Sequence, residues 1–92
     1  MVLRVKVRLI SLLRDAVDGR REVEVEVGGN PVTLGVVVER LYELYPRLRR
    51  LVESLRERGI NVVFLVNGAP AGSGTTIEEG DVVTLLPPAS GG

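Results

Sequence analysis

The sequence predicts an α+β fold, a mixed sheet of four or five strands packed on one main helix. Three observations carry this. Two segments near the start alternate apolar and charged residues with period two. A central segment repeats apolar residues at helical spacing. The rest holds short β-branched runs separated by turn signals. Ninety-two residues suit one domain, expected as a body over 1–86 followed by a short flexible tail over 87–92.

The first strand is expected over residues 2–10, with Leu3, Val5, Val7 and Leu9 on one face and Arg4, Lys6 and Arg8 on the other. Residues 22–27 alternate in the same way, Val23, Val25 and Val27 against Glu22, Glu24 and Glu26. An antiparallel register whose paired numbers sum to 30 sets Arg4, Lys6 and Arg8 opposite Glu26, Glu24 and Glu22. The same register sets Leu3, Val5 and Val7 opposite Val27, Val25 and Val23. Each exposed cross-strand ion pair adds about 0.2–1 kcal/mol, so charge mainly selects register. Between these strands, residues 12–17 suit a helical turn that Asp18-Gly19 breaks.

After the loop at residues 28–31, Thr33 is placed to cap a helix. Leu34, Val37, Val38, Leu41, Leu44 and Tyr45 form its apolar stripe, and Pro46 ends or kinks it. A second helical pattern over 47–58 carries Leu48, Leu51, Val52 and Leu55, with Gly59 as its stop. Residues 60–66 are β-rich, Asn67-Gly68 is a two-residue turn signal, and Pro70 weakens the return strand. Residues 72–76 are expected as a flexible loop, 77–80 as a turn, and 82–86 as the last strand. Pro87-Pro88 stops ladder pairing because proline donates no hydrogen bond.

Composition excludes much. No Cys and no His are present. Disulfides, thiolate metal sites, cysteine nucleophiles and Ser-His triads are therefore ruled out. Twelve basic and twelve acidic residues cancel, so bulk charge gives no signal for nucleic acid. Arg47, Arg49, Arg50, Arg56 and Arg58 are interrupted by Glu53 and Glu57 and lack an aromatic stacking platform, which fits a solvated helix face. Gly72-Ser73-Gly74-Thr75 lacks the lysine of a phosphate-binding loop. The longest apolar run, residues 62–66, is too short to cross a bilayer. The charged start is no secretory signal, and the expected compartment is the cytoplasm.

The candidate reaction site is the end of the chain. Two closing glycines arise by chance about 1% of the time at this glycine content. Pro87 and Pro88 favour an extended exit, and six residues reach roughly 20 Å. Gly91 and Gly92 carry no Cβ and can thread a narrow channel. The terminal carboxylate is ionised at neutral pH and a poor electrophile; adenylation makes it a mixed anhydride open to sulfur or an amine. The dipeptide alone fits an incidental glycine terminus better than a reaction site.

Taken with the fold, these features resemble the MoaD/ThiS group of ubiquitin-like sulfur carriers, most closely the small subunit of molybdopterin synthase. The matching residues are Leu12-Leu13-Arg14, Thr33-Leu34 with Leu41 and Tyr45-Pro46, Val66-Asn67-Gly68, and the closing stretch from Gly80-Asp81-Val82-Val83 through Leu85-Leu86-Pro87-Pro88 to Gly91-Gly92. The second helical stretch is longer than in the shortest members of the group.

The resemblance implies a β-grasp fold and a carrier that is no enzyme by itself. An adenylating enzyme of the ubiquitin-activating type would use ATP to activate Gly92. A sulfur donor would then convert it to a thiocarboxylate. The tail would enter the large subunit of molybdopterin synthase and give sulfur to a pterin precursor. The carrier itself would bind no cofactor and no metal, and neither nucleic acid nor membrane would be a partner. Alternatives are conjugation of Gly92 to lysines of other proteins, sulfur delivery for thiamin or tRNA thiolation, and a binding module with an incidental glycine end.

In such a sheet the first, third and last long strands are neighbours. Strand parity then gathers Ile10, Val63, Leu65 and Leu86 on the exposed face as a partner-binding patch, unless a loop or the second helix covers them. Arg14 either contacts a partner or ties down its own loop.

Overall fold

The structure is a computed structural model that describes residues 2–88; Met1 and residues 89–92 lie outside the described residues. Strand β1 (Val2–Leu9) and strand β2 (Glu22–Gly28) pair antiparallel, with Arg4 opposite Glu26, Lys6 opposite Glu24 and Arg8 opposite Glu22. Val5, Val7, Leu9, Val23, Val25 and Val27 are all buried. None of the three directly opposed charge pairs closes as an ion pair. Lys6 Nζ instead reaches diagonally to Glu22 Oε1 at 4.0 Å, between two exposed side chains. Long side chains in water gain little by being held together, so the apolar face rather than the charges locks the register.

A 3-10 helix (Ser11–Val17) follows β1 and buries Leu13, Ala16 and Val17. It stops where Asp18 and Gly19 turn left-handed, with φ of 59° and 75°.

Helix α1 (Leu34–Leu44) starts on Thr33, whose Oγ1 accepts the Val36 N–H at 3.4 Å. The first-turn amides of Leu34 and Gly35 donate to the carbonyls of Thr75 and Ser73 at 2.8 and 2.9 Å. The glycine-rich segment 72–76 is therefore bound over the helix start, not the free loop the sequence suggested. Its backbone oxygens satisfy donors that a helix leaves orphaned. Leu34, Val37 and Leu41 are buried, whereas Leu44, expected in the stripe, is 43% exposed. The following residue, Tyr45, leaves helical geometry at φ −130° and ψ 76° but still packs, partly buried, against the core, so Leu44 is the one member of the expected stripe that is exposed.

Helix α2 (Pro46–Glu57) begins on its proline, which supplies no amide where none is needed. Leu48 and Leu55 are buried. Gly59, at φ 82°, ends it: the Gly59 N–H donates to Arg56 O at 2.9 Å and the Ile60 N–H to Leu55 O at 2.8 Å. This double reversal satisfies the last helical carbonyls.

Strand β3 (Val63–Val66) is shorter than the β-rich run that precedes Asn67. Asn67 and Gly68, at φ 50° and 84°, form a tight turn into strand β4 (Ala69–Pro70). Strand β5 (Val82–Leu86) completes a sheet ordered β2-β1-β5-β3-β4, with β5 parallel to β1 and antiparallel to β3. Leu34, Val37, Leu41, Leu48 and Leu55 join Val5, Val7, Leu9, Val83 and Leu85 in one core. Both helices therefore cover the same side of the sheet and leave the other side open.

Candidate functional site

The open side is graded from edge to centre. β2 presents a column of Glu22, Glu24 and Glu26, and β1 a column of Arg4, Lys6 and Arg8. Beyond these, β5 and β3 turn Val82, Thr84, Leu86, Val63 and Leu65 outward, because their alternate residues Val83, Leu85, Phe64 and Val66 pack on the core side.

Three of the four residues expected in the patch are aligned by register. Val63 pairs with Leu86, and Leu65 with Thr84. Ile10 joins through its N–H, which donates to Leu85 O at 3.1 Å and prolongs the β1–β5 ladder past the Leu9–Leu85 pair. Ile10, Leu86 and Val63 thus form one row, with Thr84 and Leu65 in the next. All are half-buried and none belongs to the core. No helix covers them. Thr84, at the centre of this cluster, was missed by sequence reasoning that scored only apolar residues; its parity with Leu86 was the available signal.

Arg14 lies back on its own segment. Its Nε donates to the Leu9 carbonyl at 3.0 Å. The guanidinium thereby fixes the 3-10 helix against the end of β1, beside Ile10.

Two side chains hold the start of β5. Asn67 Nδ2 donates to Asp81 Oδ1 at 3.0 Å, and the Val82 N–H donates to Asn67 Oδ1 at 3.0 Å. Asp81 Oδ2 also accepts the Glu78 N–H at 2.8 Å. On the other flank, Glu79 Oε2 accepts the Arg4 N–H at 2.9 Å, replacing the strand partner that β1 lacks before β5 begins. Nothing in the sequence pattern signals the Glu79 contact, which joins residues 75 positions apart.

Leu86 therefore leaves a strand held on both sides, followed by the half-buried Pro87 and Pro88. Gly91 and Gly92, the expected reactive end, lie outside the described residues. Among the described residues no group of His, Cys, Asp or Glu is arranged to hold a metal ion, and no helix is long and apolar enough to cross a membrane. Burial pushes the Tyr42 phenol above its ordinary value, with Glu53 adding to the shift and Arg49 opposing it.

A family model described as the ThiS family matches residues 7–92. No curated protein sequence matches the chain. Solved structures do. The small archaeal modifier protein SAMP1 of Haloferax volcanii is 30% identical, with a TM-score of 0.79 over 97% of this chain and 99% of that one. CysO of Mycobacterium tuberculosis, described as an antigen, is 28% identical, with a TM-score of 0.68 over 90% of this chain and 97% of that one. A protein from Pyrococcus furiosus, described as a putative molybdopterin converting factor subunit 1, shares the fold at 22% identity, with a TM-score of 0.68 over 95% and 99% of the two chains.

Proposed function

The chain belongs to the ThiS family, and from that premise we propose that it is a sulfur carrier working through the carboxyl group of Gly92. Its fold is that of the ubiquitin-like sulfur carriers and modifiers. The observation that carries the proposal is the reach of the family match, which runs through Gly91-Gly92 on a body whose last strand ends at Leu86. Residues 87–92 act as a stalk for the acyl group and residues 1–86 as the body a partner grips. Sulfur chemistry of this kind asks nothing of Cys or His on the carrier, and the chain has neither.

The sequence of steps follows from the electrophile. An adenylating enzyme of the ubiquitin-activating type aligns Gly92 with ATP. The carboxylate oxygen attacks the α-phosphorus and pyrophosphate leaves. A persulfide on a sulfur donor then attacks the acyl carbon and AMP leaves. The new bond is C–S, giving an acyl disulfide; a thiol then cleaves the S–S bond that the persulfide brought, leaving one sulfur on Gly92 as thiocarboxylate and a disulfide on the donor side. In the cytoplasm the charged tail then enters the large subunit of molybdopterin synthase and yields sulfur to a pterin precursor of the molybdenum or tungsten cofactor. Ile10, Val63, Leu65 and Leu86 bury against the activating enzyme and the synthase in turn. Arg14 supports that face by holding the 3-10 helix to Leu9.

A second use, conjugation of Gly92 to lysines of other proteins, is favoured by one observation. The Haloferax protein that covers 97% of this chain at 30% identity is described as a modifier.

Mass spectrometry of the protein from its native host tests both readings. Replacement of one terminal oxygen by sulfur is the expected result for the carrier, and a Gly-Gly remnant on foreign lysines for the modifier. Deleting Gly92 is expected to abolish adenylation with the fold intact. Unchanged adenylation after that deletion overturns the mechanism.

A further inference from the structure

β2 is an outer strand of the sheet. The Leu9 N–H donates to the Arg21 carbonyl at 2.9 Å, which makes these residues a hydrogen-bonded pair. Such pairs alternate along an antiparallel ladder. The register therefore turns the backbone groups of Val23, Val25 and Val27 toward β1 and those of Glu22, Glu24 and Glu26 away from it. Among the described residues these outward N–H and C=O groups meet no partner. An edge of this kind is a template for another strand.

A groove of about 690 Å³ adjoins the Gly28 end of this edge and is lined by Val27, Val36 and Tyr42 together with charged residues of both helices. Two of its cations are already engaged: Arg40 with Glu43 at 3.5 Å and Arg49 with Glu53 at 3.1 Å. Glu26 and Glu39 remain as its surplus charge.

We infer that the open edge of β2 binds an extended segment of another protein whose alternate side chains are Arg or Lys. A strand added there sets every second side chain beside Glu22, Glu24 and Glu26 on the open face of the sheet. The intervening side chains fall on the groove side, near Val27, Val36 and Tyr42, and are apolar. β1 already solves the same problem along the inner side of β2, where Arg4, Lys6 and Arg8 face the glutamates and Leu3, Val5 and Val7 face the valines. The glutamates are not saturated by that arrangement, because the one contact between the two columns is Lys6–Glu22 at 4.0 Å. A second copy of this chain is a poor occupant. Pairing β2 with β2 opposes glutamate to glutamate.

The edge lies two strands away from β5 and its Leu86, so occupancy there leaves the apolar patch accessible. The inference does not depend on sulfur transfer.

The test is a titration of the isotope-labelled full chain with a short synthetic peptide alternating Arg and Val, followed by amide chemical shifts and hydrogen exchange. A peptide alternating Glu and Val is the counterpart. The expected result is shift and slowed exchange at Glu22, Glu24 and Glu26 with the arginine peptide only, weakening as salt is added. The double variant E24K/E26K is expected to lower affinity at least about tenfold, as opposed like charges demand. E24Q/E26Q gives a smaller loss and guards against a folding defect in the lysine variant. Absence of binding, equal binding of the glutamate peptide, or shifts confined to Ile10, Val63 and Leu86 each overturns the inference.

Discussion

Asn67 and Val82 hold each other through two hydrogen bonds: the Asn67 N–H donates to the Val82 carbonyl at 2.8 Å, and the Val82 N–H returns to Asn67 Oδ1 at 3.0 Å. One side chain thus imitates a strand where the ladder has run out. It does so from a backbone with φ of 50°, a region asparagine tolerates better than most residues.

Replacing Asn67 by Ala removes the acceptor and leaves an unfavourable φ, so a loss of about 1–3 kcal/mol is expected from urea unfolding. Asn67→Gly relieves the backbone part alone and is expected to lie between wild type and Ala. Equal stability of the two variants would show that the hydrogen bonds carry the whole effect.

Leu85 and Leu86 are adjacent and face opposite ways. Leu85→Ala is expected to cost about 2–5 kcal/mol, because its side chain is fully enclosed. Leu86→Glu is expected to change unfolding free energy by less than about 1 kcal/mol, while lowering affinity for the cognate activating enzyme by about tenfold or more. Thermal melts and a binding titration on the same two proteins separate these outcomes. A large drop in melting temperature for Leu86→Glu would place Leu86 in the core.

Gly35 sits in the first turn of α1 against the 72–76 segment. A Cβ at this position meets the Ser73 carbonyl oxygen at 3.3 Å and Ser73 Cβ at 3.4 Å. Glycine to alanine inside a helix ordinarily gains up to about 1 kcal/mol. Gly35→Ala is expected to forfeit that gain and to speed exchange of the Leu34 and Gly35 amides as the loop is pushed off. A clear increase in stability would show that the segment yields at no cost.

Tyr42 gives the molecule an alkaline limit. Burial raises its pKa above the ordinary 10.0, so the folded state prefers the neutral phenol more than the unfolded chain does. The contribution is intact below 10.0 and is lost as pH rises toward and through the folded value. Urea unfolding across that range is expected to show stability falling with pH, with a shallower slope for Tyr42→Phe.

Much of this was legible in the sequence because two independent patterns agreed. Valines and charges in residues 2–10 and 22–27 specify one register, and the structure has it pair for pair. Parity alone put Ile10, Val63, Leu65 and Leu86 on the side away from the helices. The pieces that escaped depend on contacts between distant loops. Segment 72–76 looks unconstrained until the amides of Leu34 and Gly35 need acceptors. Glu79 looks like one more solvated carboxylate until β1 is left without a neighbour at Arg4. Leu44 fits a helical stripe by spacing, but at 100° per residue it falls on the flank of the stripe in the last position of α1, where it is 43% exposed. Charge opposition across β1 and β2 aligned three facing pairs, yet the ion pair that forms is the diagonal Lys6–Glu22 contact at 4.0 Å.

The placement of β5 has a mechanical consequence. It is the middle strand, parallel to β1 on one side and antiparallel to β3 on the other. Tension drawn along it from beyond Leu86 slides two ladders lengthwise, loading their hydrogen bonds together instead of unzipping them one by one. A machine that hauls on the exit of this chain meets its stiffest direction, whereas a pull across β4, held at a single edge, meets its weakest.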